Sequence, residues 1–367
     1  MKIALISPSR HASSETFIQQ HKKHISGEVI HYYNGNLPKN NDLCGALLTR
    51  NKNILFRIKK KFNLSNFTAN EQALIASFKK EKINIVIAEY GQTGVAVLNV
   101  CKFLNISVIP IFHGYDASIK SILLKYAKGY KLLFDYSKRV IAVSDKIKET
   151  LVGLGCDPKK IVVTPCAPDD SFFDLKPSFD SQIFFGVGRF VNKKAPYYTI
   201  MSFKKVLSEF PEAKLMLAGD GPLYNMCSNL VKYYKLEQSV KLLGIVTPEQ
   251  VKQNLIKAIG YVQHSIVTLE GDSEGTPVAV LEASAAGLPV ISTFHGGISH
   301  VVINNETGLL VAEHDVDQMA EKMVFILKNI SRSKEMGTKG REFVGENFSR
   351  EIHIGHIDRA IKEVLYG

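Results

Sequence analysis

The chain has 367 residues, 45% of them hydrophobic, enough for two domains with separate cores and too apolar for a disordered or fibrous protein. Its 46 Lys and Arg against 35 Asp and Glu give a formal charge of +11, which asks for an anionic partner such as nucleic acid, an acidic membrane face or a phosphorylated substrate. The five cysteines show neither CxxC nor zinc-type spacing, so neither a disulfide framework nor a structural metal is indicated, and a reducing compartment is expected.

Apolar runs rich in β-branched residues predict strands at Lys2 to Ile6, Val29 to Tyr33, Ile83 to Ala88, Ile106 to Phe112, Val140 to Val143 and Ile161 to Thr164. Between them, helical periodicity predicts Glu15 to His24, Glu71 to Lys80, Thr93 to Leu104 and Asp145 to Leu154, the last capped by Ser144. Continuously apolar strands alternating with helices indicate a parallel sheet covered on both faces. The segment Thr164 to Ser181, with three prolines and four aspartates and no sustained period, reads as a linker.

Alternation then resumes with strands at Gln182 to Val187, Lys214 to Ala218, Val240 to Leu242, Tyr261 to His264, Pro289 to Ser292 and Gly308 to Val311. Helices are predicted at Thr199 to Glu209, Glu249 to Ala258 and Pro277 to Ala286, and an amphipathic one at Ser349 to Leu365. The expected fold class is therefore α/β: two Rossmann-like doubly wound domains, residues 1–170 and 171–348, with a C-terminal helix, 349–367, packing back on the first. Split at residue 178, the first part holds 26 basic and 14 acidic residues and the second 20 and 21, so the excess charge belongs to the first domain.

No apolar stretch approaches the roughly 18 residues a membrane-crossing helix needs, and Ile3 to Ile6 is too short for a signal-peptide core. A cytoplasmic protein, peripheral at most on the inner membrane face, is expected. Within Asn51 to Phe67, Arg57, Lys59, Lys60 and Lys61 alternate with Ile54, Leu55, Phe56, Ile58 and Phe62, a pattern that suits either an anionic bilayer surface or an ordinary exposed helix.

Three constellations carry chemistry. In Glu270 to Thr293, Gly275 and Thr276 precede a helix opened by Pro277, so free amides would face an anion; Glu274 stays in the loop and Glu282 lies five residues into the helix, about 7.5 Å along its axis. In Gly186 to Pro196, glycines at a strand end are followed by Arg189 and Lys194, two cations placed to clamp a diphosphate, and Gly219 in AGDGP marks another strand-end turn. In the first domain, FHGYD puts His113 at the carboxyl edge of the sheet, where an imidazole can bind a hydroxyl or move a proton. The loop after the first strand holds Ser13, Ser14 and Glu15 in a helix-capping pattern.

The motifs GRFVNKKAP, AGDGP and EGTPVAVLEASAAGLPVIST, followed by GG and ETGLLV, resemble the retaining nucleotide-sugar glycosyltransferases of family 4, which have the GT-B fold. Together with FHGYD and SETF, they look like the exopolysaccharide and lipopolysaccharide transferases of that family. The resemblance implies that Arg189 and Lys194 bind a donor diphosphate and Glu282 the ribose, while Glu274 and the amides of Gly275, Thr276 and Val278 surround the sugar and phosphates. It implies that His113 contacts the sugar near the reacting carbon and that Ser13 to Glu15 border the acceptor. It further implies a UDP- or GDP-sugar donor, a glycan or lipid-linked acceptor, and neither a metal nor another cofactor. One departure is visible: after Gly296 and Gly297 the chain continues Ile298, Ser299, His300, where the family often carries a glutamate. Against this stands a nucleic-acid-binding protein, disfavoured because no zinc finger, helix-turn-helix or aromatic binding sheet is recognisable, and another GT-B enzyme such as a sugar-nucleotide epimerase.

Overall fold

A computed structural model describes residues 1–10, 15–48 and 66–367, and these form two units: Met1–Pro165 with His353–Gly367, and Cys166–Ile352. The basic segment at Arg57, Lys59, Lys60 and Lys61, and with it Ser13 and Ser14, lies outside the described residues.

The first unit is built on an eight-stranded sheet, β1 (Lys2–Ile6), β2 (Glu28–Tyr33), β3 (Asn40–Asn41), β4 (Gly45–Ala46), β5 (Ile85–Glu89), β6 (Ser107–Phe112), β7 (Val140–Ala142) and β8 (Ile161–Val163), in the order β4-β3-β2-β1-β5-β6-β7-β8. Six strands run parallel, and β3 and β4 add an antiparallel edge that the sequence pattern did not predict. Its helices are α1 (Thr16–His24), α2 (Ala69–Glu81), α3 (Gly91–Leu104), α4 (Lys120–Tyr136) and α5 (Asp145–Gly153). Two of them begin where their caps dictate. Thr68 and Glu71 form a reciprocal capping box on α2, and the Ser144 hydroxyl accepts the Ile147 amide on α5. Val86 and Val108 of the central strands pack with Phe78, Val97 and Leu133.

The second unit is a six-stranded parallel sheet, β9 (Ile183–Val187), β10 (Lys214–Ala218), β11 (Val240–Gly244), β12 (Gly260–Val262), β13 (Val290–Thr293) and β14 (Gly308–Val311), in the order β11-β10-β9-β12-β13-β14. This is the doubly wound order of a dinucleotide-type fold. Helices α6 (Pro196–Val206), α7 (Tyr224–Tyr233), α8 (Pro248–Lys257), α9 (Val278–Ala285), α10 (Val316–Lys328) and α11 (Ile330–Asn347) accompany it. Successive residues of a strand face opposite sides, and β9 shows this directly. Phe184 joins Phe203 of α6 and Met323 of α10 in one core, whereas Phe185 joins Leu255 of α8 and Leu281 of α9 in the other. The strand order reverses between β9 and β12, and the crevice beyond the carboxyl ends of those strands is where such sheets bind ligands.

Two expectations change. The segment predicted as a linker folds largely with the second unit: the chain divides after Pro165, Asp170–Phe172 forms a 3₁₀ turn, and Phe172 is buried beside Phe185 and Leu281. Pro277 is not the first helical residue but the cap, because its ψ of 112° is extended; α9 starts at Val278. The final helix, α12 (Arg350–Tyr366), belongs to the first unit from His353 onward. There Asp358 accepts from the backbone and hydroxyl of Ser26, and Glu363 pairs with Arg139 at 2.7 Å. Among the described residues no helix is long and apolar enough to cross a membrane.

Candidate active site

In the second unit the loop after β9 turns at Gly188 against the loop after β10. A Cβ on Gly219 would fall 1.9 Å from the Gly188 carbonyl oxygen, and Gly219 has φ +126°, so only glycine fits the turn. The chain then exposes Arg189, for which no carboxylate partner stands among the described residues. Lys194, six residues past Gly188 at the end of a 3₁₀ turn, behaves differently. Its Nζ lies 3.2 Å from Glu274 Oε1 and donates to Gln263 Oε1 at 3.3 Å. Lys193 is buried and reaches back to Asp272 at 3.0 Å.

Glu274 is 9% exposed. Burial alone would raise its pKa, but Lys194 and then Lys193 outweigh that and hold it below the usual carboxylate value. For Lys194 burial is the leading influence and lowers the ammonium pKa, with Glu274 opposing. The two residues therefore form a built-in ion pair, a role for Lys194 beyond the diphosphate contact expected from sequence. Removing it would leave a buried carboxylate without its principal cation, so truncating Lys194 is expected to cost stability as well as a binding group.

The Glu274 loop is held from behind. The Glu274 amide donates to His295 Nε2 at 3.0 Å, which places the ring proton on Nδ1, 2.6 Å from Glu313 Oε1. Gly296 and Gly297 lie against the same backbone: a Cβ on Gly297 would sit 1.7 Å from the Gly275 oxygen, and one on Gly296 2.3 Å from the Glu274 oxygen. Contact this close between backbones cannot accommodate a methyl group without moving the Glu274–Thr276 loop. Gly297→Ala is therefore expected to lower the thermal midpoint, as measured by calorimetric melting; an unchanged midpoint would contradict the packing.

From this loop α9 starts at Val278; the first amides of a helix lack intrahelical acceptors, a general property that favours anions, and here Val280 and Leu281 already donate to the Pro277 carbonyl at 3.0 and 3.3 Å. Glu282 lies one turn further on and is half-buried. Burial, then the charge of Asp169 from the former linker, pushes its carboxyl up to about 8, against a smaller opposing effect of Lys252.

The first unit holds a separate polar cluster at the carboxyl ends of β5 and β6. Asp116 accepts the amides of His113, Gly114 and Gly91 at 3.0, 3.1 and 2.8 Å, which fixes the turn after β6. His113 Nε2 is 2.7 Å from Glu89 Oε2, and the ring stacks on Phe17 with centroids 4.2 Å apart. Glu15 precedes α1 but its side chain makes no cap; it accepts the Tyr90 hydroxyl at 2.7 Å instead. The helix-capping role expected of Glu15 is thus corrected, because Tyr90, with φ +74°, brings its hydroxyl to that carboxylate.

These folds and motifs define a glycosyltransferase of the GT-B class. Residues 169–343 match the family described as Glycosyl transferases group 1, and residues 35–172 match Glycosyltransferase Family 4. A Salmonella typhimurium protein named as a colanic acid biosynthesis glycosyltransferase, WcaL, is 30% identical over 77% of this chain and 70% of its own. The amylovoran biosynthesis glycosyltransferase AmsK of Erwinia amylovora is 29% identical over 71% of this chain and 67% of its own. Among solved structures, Anabaena HepE in complex with UDP has the same fold across 100% of this chain and 99% of its own, with a TM-score of 0.76 at 14% identity. The chain belongs to glycosyltransferase family 4 and is a glycosyltransferase.

Within the second unit the structure brings Lys194 and Glu274 into contact and sets Gly188 against Gly219. It places Glu282 beside Asp169. Reading the sequence missed Glu89, His295 and Asp169. Only His295, directly before the paired glycines, stood next to a motif already noticed.

Proposed function

We propose that the enzyme moves a hexose or N-acetylhexosamine from a nucleoside-diphosphate sugar to a glycan or lipid-linked acceptor of surface-polysaccharide assembly, with retention of configuration. The observation that carries this reading is the Lys194–Glu274 pair just before the start of α9 at Val278, with the exposed Arg189 nearby. As the glycosyl bond breaks, negative charge grows on the leaving diphosphate; Arg189, Lys194 and the helix amides stabilise it. Glu274, kept ionised, faces the positive charge developing on the sugar ring, and Glu282 takes the ribose hydroxyls. His113 binds the sugar near the reacting carbon, and Glu15, with Ser13 and Ser14, borders the acceptor. A donor phosphate oxygen accepts the proton of the incoming hydroxyl. HepE is described in complexes with UDP and UDP-glucose, which supports a uridine diphosphate donor here. WcaL and AmsK by name act in colanic acid and amylovoran biosynthesis, which supports a polysaccharide acceptor.

A thermal-shift series with UDP, GDP and their sugars tests the donor. The cognate nucleotide at about 100 times its Kd should stabilise the native state by about 2.7 kcal/mol. Stabilisation by none of them would overturn the reading, and product analysis with the stabilising sugar nucleotide would then establish linkage and anomeric configuration.

A further inference from the structure

Glu89, at the end of β5, is fully buried and is used at both oxygens. Oε1 lies 2.6 Å from His21 Nδ1 on α1, and Oε2 lies 2.7 Å from His113 Nε2. His21 Nε2 meets His353 Nε2 of α12 at 2.7 Å, and His353 Nδ1 meets the Thr164 hydroxyl at 3.1 Å. Burial would raise the Glu89 pKa, but His21 and His113 outweigh it and hold the carboxyl well below its ordinary value. An ionised carboxylate can only accept, so both imidazole nitrogens that touch it carry protons.

The remaining bonds then have a direction. With Nδ1–H given to Glu89, neutral His21 offers Nε2 as an acceptor, so His353 donates to it through Nε2–H. That leaves His353 Nδ1 to accept the Thr164 hydroxyl. Burial, followed by His21 and His113, lowers the His353 pKa well below the ordinary value and agrees with a neutral ring there. A second proton on His21 would reverse the two outer bonds and leave the His113 bond as it is. In either arrangement His113 Nε2 carries the proton that it gives to Glu89.

We propose that Glu89 is a positioning residue for His113, fixing its imidazole as the Nε2–H tautomer in one plane, and that the chain from His21 through His353 to Thr164 holds Glu89 in turn. This inference rests on the reading of His113 as a sugar-contacting group. Two carboxylates then secure the histidine from opposite ends, Asp116 through its amide and Glu89 through its ring. Phe17 on the ring face blocks rotation about the remaining bond. The arrangement follows the general logic by which a buried acid orients a working imidazole.

The test is nitrogen-15 NMR of the histidine rings in the whole protein, joined to kinetics of Glu89→Gln and Glu89→Asp. Wild-type His113 is expected as the Nε2–H tautomer. A glutamine offers one oxygen to two ring donors, so the tautomer or hydrogen bond of His113 changes. kcat falls roughly 10- to 100-fold, the equivalent of one hydrogen bond to a charged group, while the donor KM stays nearly constant. Glu89→Asp, which keeps the charge but draws it back by one methylene, falls between. A wild-type His113 carrying its proton on Nδ1 would overturn the proposal even if neither variant folds. So would an unaltered His113 signal in folded Glu89→Gln, or a kcat loss no larger than the loss of folded protein. An altered tautomer with full turnover, accompanied by full turnover of His113→Ala, would instead refute the role of His113 itself.

Discussion

Lys194→Ala is expected to lose both turnover and stability, whereas Arg189→Ala loses turnover alone. In the proposed reaction both truncations remove a cation that stabilises the leaving diphosphate, and the loss of one preorganised group of this kind costs on the order of a hundredfold in kcat, about 3 kcal/mol. The difference lies in the ground state. Arg189 is exposed, but Lys194 is the strongest electrostatic support of a carboxylate that is 9% exposed. Breaking a buried pair by removing one partner costs up to about 3–5 kcal/mol, and the 16% residual exposure of the Lys194 side chain puts this case toward the lower figure. At roughly 2–4 °C per kcal/mol for domains of 150–250 residues, about 3 kcal/mol should lower the midpoint of the second unit by about 6–12 °C. The double variant Lys194→Ala with Glu274→Gln should regain much of that stability, since no charge is left stranded, and recover no activity. Calorimetry of the four proteins of this cycle, with turnover measured on each, decides the matter. Equal midpoints for Lys194→Ala and wild type would show that the pair holds no stability.

The same pair shows where reading a sequence succeeds and where it stops. The strands of both sheets were legible because a strand buried on both faces is written as a continuous apolar run, and Ile85–Glu89 or Ile183–Val187 can hardly be anything else. Two-residue strands such as Asn40–Asn41 have no length in which a period could appear. Motif glycines were legible as turns, but what they accommodate was not. Gly297 is required by the Gly275 carbonyl, a contact created only when β13 and the loop before α9 have been placed. Distance along the chain limits the polar partners in the same way. Lys194 finds Glu274 across 80 residues, and His21 finds Glu89 across 68 and His353 across 332. No local pattern marks such residues, since each is an ordinary helix or strand residue until the fold brings its partner to it. Asp169 went unnoticed for a different reason: a stretch rich in proline and aspartate reads as a spacer, yet Phe172 anchors it to the core and thereby sets a second carboxylate near Glu282.

That neighbour gives Glu282 a pH dependence with two opposite consequences. Its carboxyl is pushed from an ordinary 4.5 up to about 8, so near neutral pH it is mainly protonated in the folded protein and ionised in the unfolded one. A group with a raised native pKa contributes its full stability below the unfolded value and loses it as pH climbs between about 4.5 and 8, by at most about 1.4 kcal/mol per pH unit. Glutamine does not titrate. Glu282→Gln should therefore melt close to wild type at pH 4.5 and several degrees above it at pH 9. Nucleotide binding should run the other way. Ribose hydroxyls donate best to a carboxylate, so wild-type affinity for UDP is expected to rise as pH passes about 8, and the bound ribose should itself favour ionisation. Replacing the carboxylate with an amide should weaken UDP by roughly 10- to 100-fold at pH 9, the worth of hydrogen bonds to a charged group, with a smaller deficit at pH 6. Calorimetric titration of both proteins across this range, beside their melting curves, separates the effects. A variant that gains stability at alkaline pH while binding UDP undiminished would leave Glu282 as a strained carboxylate with no part in holding the ribose.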